Sequence, residues 1–230
     1  STHSQYMIDS NCIERHLIVE KKDDITTVIK QDINASFSND ELLRRAIGSS
    51  IFECLQDKNI IFEGWLDKKL FDKYCVFNKK TNEFKNYGTV YLGGISGVES
   101  LVQLLILANK KFVIVSDSDE TSNNKKKEFI RNYSDHSSSW LSYADVKNEI
   151  STMEDFISPD HITNQLRNIS PEFVFNQQKN AIGNIETVVK QDKEKKQGIK
   201  NKLIENLEKN HIMNAYGEYV SRLKQLIDTI

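Results

Sequence analysis

Four acidic side chains follow directly on two apolar runs. Ile60-Ile61-Phe62 is followed by Glu63 and, four residues on, by Asp67; Phe112-Val113-Ile114-Val115-Ser116 is followed by Asp117 and Asp119. A continuous β-branched and aromatic run reads as a fully buried parallel strand. In open α/β sheets, ligands sit outside the carboxyl ends of such strands. The spacing therefore brings the four carboxylates to one rim of one sheet. Crowded carboxylates repel one another unless cations stand between them, and hard oxygen donors suit Mg²⁺ or Mn²⁺. Side chains alternate with period two, so Asp117 and Asp119 project the same way if the strand continues through them. Gly64 permits a sharp turn and a close approach of backbone N–H groups to a phosphate. Ser116 is a candidate donor to a phosphate or to a ligand carboxylate. Each residue also has a plainer use: Glu63 as a favourable charge at the N-terminus of a helix from Trp65, Asp67 as a surface residue of that helix, and Asp117-Ser118-Asp119 with Glu120 as a solvated turn.

The elements that must position these groups alternate. Strand 59–63 leads to helix 65–75, strand 89–92 to Gly93-Gly94 and helix 97–109, and strand 111–116 to the Asp-x-Asp. Such alternation implies crossovers and a parallel sheet. Residues 121–138, rich in Ser, Asn and Lys, read as a loop or an extended helix. Residues 139–144 supply a fourth strand, and a helix carrying Glu149, Met153, Glu154 and Phe156 runs up to Ser158-Pro159. Upstream, 16–19 and 25–29 flank Lys21-Lys22-Asp23-Asp24 as a hairpin. Ser38-Asn39-Asp40-Glu41 is a capping box for a helix stopped by Gly48, and 50–57 is a short helical stretch. Beyond residue 160 only helical periodicity remains: Ile182, Ile185, Val188 and Val189, then a charged stretch from Lys190 to Lys202, then a stripe from Tyr216 to Ile230. Both prolines, Pro159 and Pro171, fall at this transition.

Composition narrows the classes. A net charge of −2 argues against a basic nucleic-acid coat. No apolar run approaches a membrane span and no signal peptide opens the chain, so a cytoplasmic location is expected. Cys12, Cys54 and Cys75 have neither zinc nor disulfide spacing and read as reduced thiols. His16, His136, His161 and His211 show no ligand spacing, and Trp65 and Trp140 read as packing residues.

Strand-Glu63-Gly64-helix, strand-Gly93-Gly94-helix and strand-Asp117-Ser118-Asp119, in that order, resemble the Toprim domain of topoisomerases, primases, RNA-maturing nucleases and OLD-family nucleases. The match covers roughly residues 58–157. Glu63 with Asp67 at the head of the helix resembles the OLD variant more than the topoisomerase one. Ser1-Thr2-His3-Ser4 resembles the switch-histidine segment of ABC-type ATPases, which in OLD proteins precede the Toprim domain. The resemblance implies an α/β fold with a mostly parallel sheet of about four strands flanked by helices. It divides the chain into 1–57, the end of an ABC-type ATPase domain and a connector; 58–160, the Toprim domain; and 161–230, a helical C-terminal region.

By the same resemblance the activity is metal-dependent hydrolysis of DNA phosphodiester bonds, with two Mg²⁺ or Mn²⁺ ions held by Glu63, Asp67, Asp117 and Asp119. Glu154, or its neighbour Asp155, completes the second site; an exposed helix face is an equal reading of both. A lysine from the C-terminal region neutralises charge on the scissile phosphate. Lys200 is the choice, with Lys196 and Lys202 as rivals and a solvated helix face as the plain alternative. His3 corresponds to the switch histidine. No Walker A motif occurs, so no ATP binding is expected of this chain, which reads as the C-terminal portion of a longer protein. The implied partners are DNA, the ATPase domain of the same protein and further copies of the chain, with no membrane; the implied role is defence against phage or plasmid DNA. Cleavage of RNA, nucleotidyl transfer, and a non-catalytic assembly module remain as alternatives.

Overall fold

The computed structural model describes residues 17–22, 25–30, 55–92, 94–190 and 192–230. The chain divides into two compact units, Ser1–Cys54 and Leu55–Ile230. In the first, β1 (Leu17–Lys22) and β2 (Ile25–Lys30) pair antiparallel, Leu17 opposite Lys30 and Lys22 opposite Ile25, as the two flanking β-prone runs predict. The turn residues Asp23 and Asp24, the capped helix at 38–47, most of the stretch 50–57, and His3 with its segment lie outside the described residues.

The second unit is built on β3 (Lys58–Phe62), β4 (Gly88–Tyr91), β5 (Lys111–Ser116) and β6 (Trp140–Ser142), paired in parallel in the order β4-β3-β5-β6. The α/β fold with a four-stranded parallel sheet flanked by helices is therefore the one the alternation implies. Helices α1 (Trp65–Phe77), α2 (Thr81–Phe84), α3 (Val98–Leu107) and α4 (Glu120–Asn132) lie between the strands. The Ser/Asn/Lys-rich segment resolves as α4, with Asp119 as its cap: its carboxylate accepts from the Ser122 backbone N–H at 2.8 Å.

The strands are apolar on both faces because both faces are covered. Ile60, Phe62, Val113, Val115 and Leu141 join one core with residues of α1 and the C-terminal helices. Ile61, Phe112, Ile114 and Trp140 are equally buried on alternate positions, where Phe129 of α4 packs against the rings of Phe112 and Trp140. After β6 the expected helix over Glu149–Phe156 does not form. A 3-10 turn, Met153–Phe156, takes its place, with the Asp155 carboxylate accepting from the Thr152 backbone N–H at its start. Asp155 also accepts from Ser151 N and Ala181 N, so local side-chain bonds outcompete the helix.

Helices α5 (Pro159–Arg167), α6 (Ala181–Val189), α7 (Lys193–Glu205) and α8 (Asn214–Thr229) complete the chain. Ser158 caps α5 and Pro159 occupies its first turn, where a missing N–H costs nothing. Tyr216, Tyr219, Val220, Leu223 and Ile227 of α8 belong to the same core as β3 and β5. The change of pattern near residue 160 is thus a change of element type within one core.

Candidate metal centre

Register fixes the rim. Phe62 pairs with Tyr91 and Val115, and Ser116 pairs with Ser142. The residues one step past the strands, Glu63, Asp117 and Tyr143, therefore emerge at one edge of the sheet. Asp67 reaches the same edge from the first turn of α1. Glu154 comes from the 3-10 turn and Lys200 from α7. Six elements thus converge on one acidic cluster.

Glu63 Oε2 accepts from the Asp117 backbone N–H at 3.1 Å and from Ser122 Oγ at 2.9 Å. Asp67 is buried, and its Oδ1 accepts from the Tyr143 hydroxyl. Glu154, with a side chain only 2% exposed, lies 2.7 Å from the Lys200 ammonium, itself 24% exposed. Asp117 Oδ1 is buried and finds no hydrogen-bond partner among the described residues.

The electrostatics follow from this crowding. Burial raises the Glu63 carboxyl, against the hydrogen bonds from Ser122 and Asp117. Burial, with the charges of Glu154 and Glu63, pushes Asp67 up to about 7 despite the bond from Tyr143. Asp117 is raised well above the usual carboxylate range, by burial first and then by Asp67, Glu154 and Glu63. For Lys200 burial favours the neutral amine, yet the surrounding carboxylates, Glu154 foremost, outweigh it and hold the ammonium more firmly than in water. Four carboxylates face one ammonium, an imbalance that protons or a cation must meet.

Several sequence expectations need correction. Ser116 does not face a phosphate. It lies on the face of Phe112 and Ile114, fully buried, accepting from Trp140 Nε1 at 2.8 Å and standing 3.3 Å from Ser142 Oγ. Asp117 falls on the opposite, pocket side by the same alternation. β5 ends at Ser116, so the period-two argument does not extend to Asp119, which is exposed and engaged as the α4 cap. Gly64 has extended backbone at φ −128°, and its role is space: a Cβ there would stand 2.6 Å from Asp67 Oδ2. Glu154 lies on a buried turn, so the exposed-face reading fails. Of the rival lysines, Lys196 is paired with Glu186 and Lys202 is exposed.

Two residues escaped the sequence reading. Ser122 carried a signal, standing three positions after the capping Asp119. Tyr143 carried none, because only the register of β6 puts it beside Asp67.

A divalent cation suits these residues chemically: the donors are all carboxylate oxygens, and one of them is buried and unpaired. Among the described residues, however, no three acidic, His or Cys side chains are gathered as a ready-made cage. Glu63 and Asp67 each turn an oxygen to an internal donor, and Glu154 turns one to Lys200. Among the described residues the oxygens not so engaged are Glu63 Oε1, Asp67 Oδ2, Glu154 Oε2 and both oxygens of Asp117.

The four-stranded parallel sheet with acidic residues at its carboxyl rim is consistent with a Toprim-like fold. No family model and no curated protein matches the sequence. Among solved structures the chain is similar to the C-terminal region of the Burkholderia pseudomallei OLD protein, with 9% identity over 75% of this chain and 99% of that one, at a TM-score of 0.47. No helix among the described residues is long and apolar enough to cross a membrane.

Proposed function

We propose that this chain is the nuclease part of an ATPase-coupled protein of the OLD kind, and that it hydrolyses DNA phosphodiester bonds with Mg²⁺ or Mn²⁺. The observation that carries the reading is the convergence of Glu63, Asp67, Asp117 and Glu154 with Lys200 at the carboxyl rim of a parallel sheet, with Asp117 Oδ1 buried and unpaired among the described residues. Asp67 and Asp117 would hold the ion, with Glu154 beside them. A bound divalent ion supplies Lewis acidity, lowering the pKa of a water and offsetting charge on the phosphodiester. Glu63, fixed through Oε2 by Ser122 and Asp117 N, keeps Oε1 to accept a proton from the attacking water. Lys200 offsets the negative charge that gathers as the phosphorus becomes five-coordinate. Asp119, whose charge reaches Glu63, spends Oδ1 on its helix cap and would join the ligands through Oδ2. The switch-histidine segment around His3 supports the coupling to an ABC-type ATPase through sequence alone, and defence against foreign DNA follows from the same resemblance.

A second reading rests on the absence of a ready-made cage among the described residues: the acids are protonated structural groups, and the chain is an assembly module. Incubation of the protein with supercoiled plasmid and Mg²⁺ or Mn²⁺, beside Glu63→Ala and a single-stranded RNA substrate, separates the two. Metal-dependent nicking or linearisation lost in Glu63→Ala supports the nuclease. Cleavage of RNA alone moves the substrate, and no cleavage of either polymer with either metal favours the assembly module.

A further inference from the structure

Asp67 is held from two sides. Tyr143 OH donates to its Oδ1, and its Oδ2 lies where only a glycine at position 64 leaves room. Tyr143 in turn has little freedom. It is the first residue past β6, buried, with its ring 5.1 Å from Phe156 and 5.0 Å from Tyr219. Phe156 ends the turn that carries Glu154, and Tyr219 belongs to α8. The edge-on packing of these rings fixes the plane of the tyrosine, and the hydrogen bond then holds its hydroxyl on Asp67.

A tyrosine–carboxylate bond inside a core need not concern function, but the neighbouring phenol argues for selectivity. Tyr219 OH is buried in the same stack and has no hydrogen-bond partner among the described residues. The fold leaves that hydroxyl unpaired and sends the adjacent one into Asp67. From this geometry we infer that Tyr143 is a positioning residue: clamped by Phe156 and Tyr219, it orients Asp67 so that Oδ2 stays turned to the cation, and α8 thereby sets the geometry of the pocket. The inference rests on the metal-dependent reading above.

Mn²⁺ binding to the whole chain, followed by calorimetry with no nucleic acid present, tests it. Thermal unfolding in parallel establishes that each variant is folded. Tyr143→Phe keeps the ring and removes the donor, and is expected to weaken Mn²⁺ about tenfold, in the range seen when a group orienting a metal ligand is lost. Gly64→Ala crowds Oδ2 from the other side and should weaken Mn²⁺ comparably with the tyrosine intact. Tyr219→Phe removes the unpaired hydroxyl from the same stack and should bind Mn²⁺ as the parent does. In Asp67→Asn the further change Tyr143→Phe should cost little more, because the two act through one carboxylate.

The positioning role is overturned, with the metal reading intact, if Asp67→Asn loses Mn²⁺ while both Tyr143→Phe and Gly64→Ala keep it. It is also overturned if Tyr219→Phe weakens Mn²⁺ as much as Tyr143→Phe, since general loosening of the stack then explains both. Failure of the parent chain to bind Mn²⁺ at all overturns the metal reading, and the inference falls with it.

Discussion

At the amino ends of the strands, Lys58 donates to the carbonyl oxygens of Ile227 and Asp228, Lys111 to that of Ile230, and Lys110 pairs with Asp57 at 2.8 Å. Asn59, fully buried, bonds Gln56 through both side-chain atoms and also reaches Lys111 O. At the carboxyl ends of the same strands, four carboxylates meet one lysine, and a buried oxygen goes unpaired among the described residues. Both ends are charged, lysines prevailing at one and carboxylates at the other. At one end the cations satisfy the last carbonyls of α8, where the helix dipole favours them, and every such bond holds the chain together. At the other end charge is left uncompensated, which costs stability and marks the end where chemistry is to be sought.

The largest test of that contrast is Asp117→Ala. It removes the acid with the unpaired oxygen, so cleavage should fall by roughly a hundred- to a thousandfold, while the thermal midpoint stays level or rises because like-charge repulsion is relieved. A plasmid assay and a melting curve on one preparation read both, and retained cleavage in a nuclease-free sample removes Asp117 from the site.

Next in size is Lys200→Met. It leaves Glu154 buried without its cation, and urea unfolding should show a loss of about 3 kcal/mol. Adding Glu154→Gln should restore much of that loss. If the double variant is no more stable than Lys200→Met, the pair is not the unit that holds this part of the pocket.

The pH dependence of the metal-free protein should separate the two ends. A carboxyl raised on folding contributes stability that is fully present below its unfolded pKa, 3.8 for Asp67, and that is lost as pH rises through its folded value, about 7. Glu63 and Asp117 are raised as well and act in the same direction. Metal-free protein should therefore lose stability between pH 4 and pH 8, and Asp67→Asn should flatten the curve. Mn²⁺ should stabilise more at pH 8 than at pH 5.5, since it competes with protons for the same oxygens. A metal-free melting temperature that climbs steadily across this window contradicts the account.

The smallest effect is expected at the opposite end. Lys58→Met removes two bonds to exposed or half-buried carbonyls and should cost about 1 kcal/mol, with Mn²⁺ affinity unchanged within error by calorimetry. A large loss of metal binding there would join two ends that the sheet keeps apart.

The sequence by itself determined the sheet and most of its contents, because strand and helix periodicity are local signals. Ile60-Ile61-Phe62 and Phe112 to Ser116 could only be buried strands. The abrupt change to Glu63 and Asp117 marked where each run ends, and the bounds of β5 were legible to the residue. Tertiary structure decided what lies across the chain. Whether the segment after β6 would form a helix turned on Asp155, which bonds backbone groups as distant as Ala181. Which of two aspartates two residues apart faces the pocket turned on where β5 stops and α4 begins. Ser116 went to the far face, beside Trp140, for the same reason of alternation. That Tyr143 stands against Asp67, and Lys200 against Glu154, depends on the register of β6 and the docking of α7. Pairings between residues so far apart are set by packing and have no signature in sequence spacing.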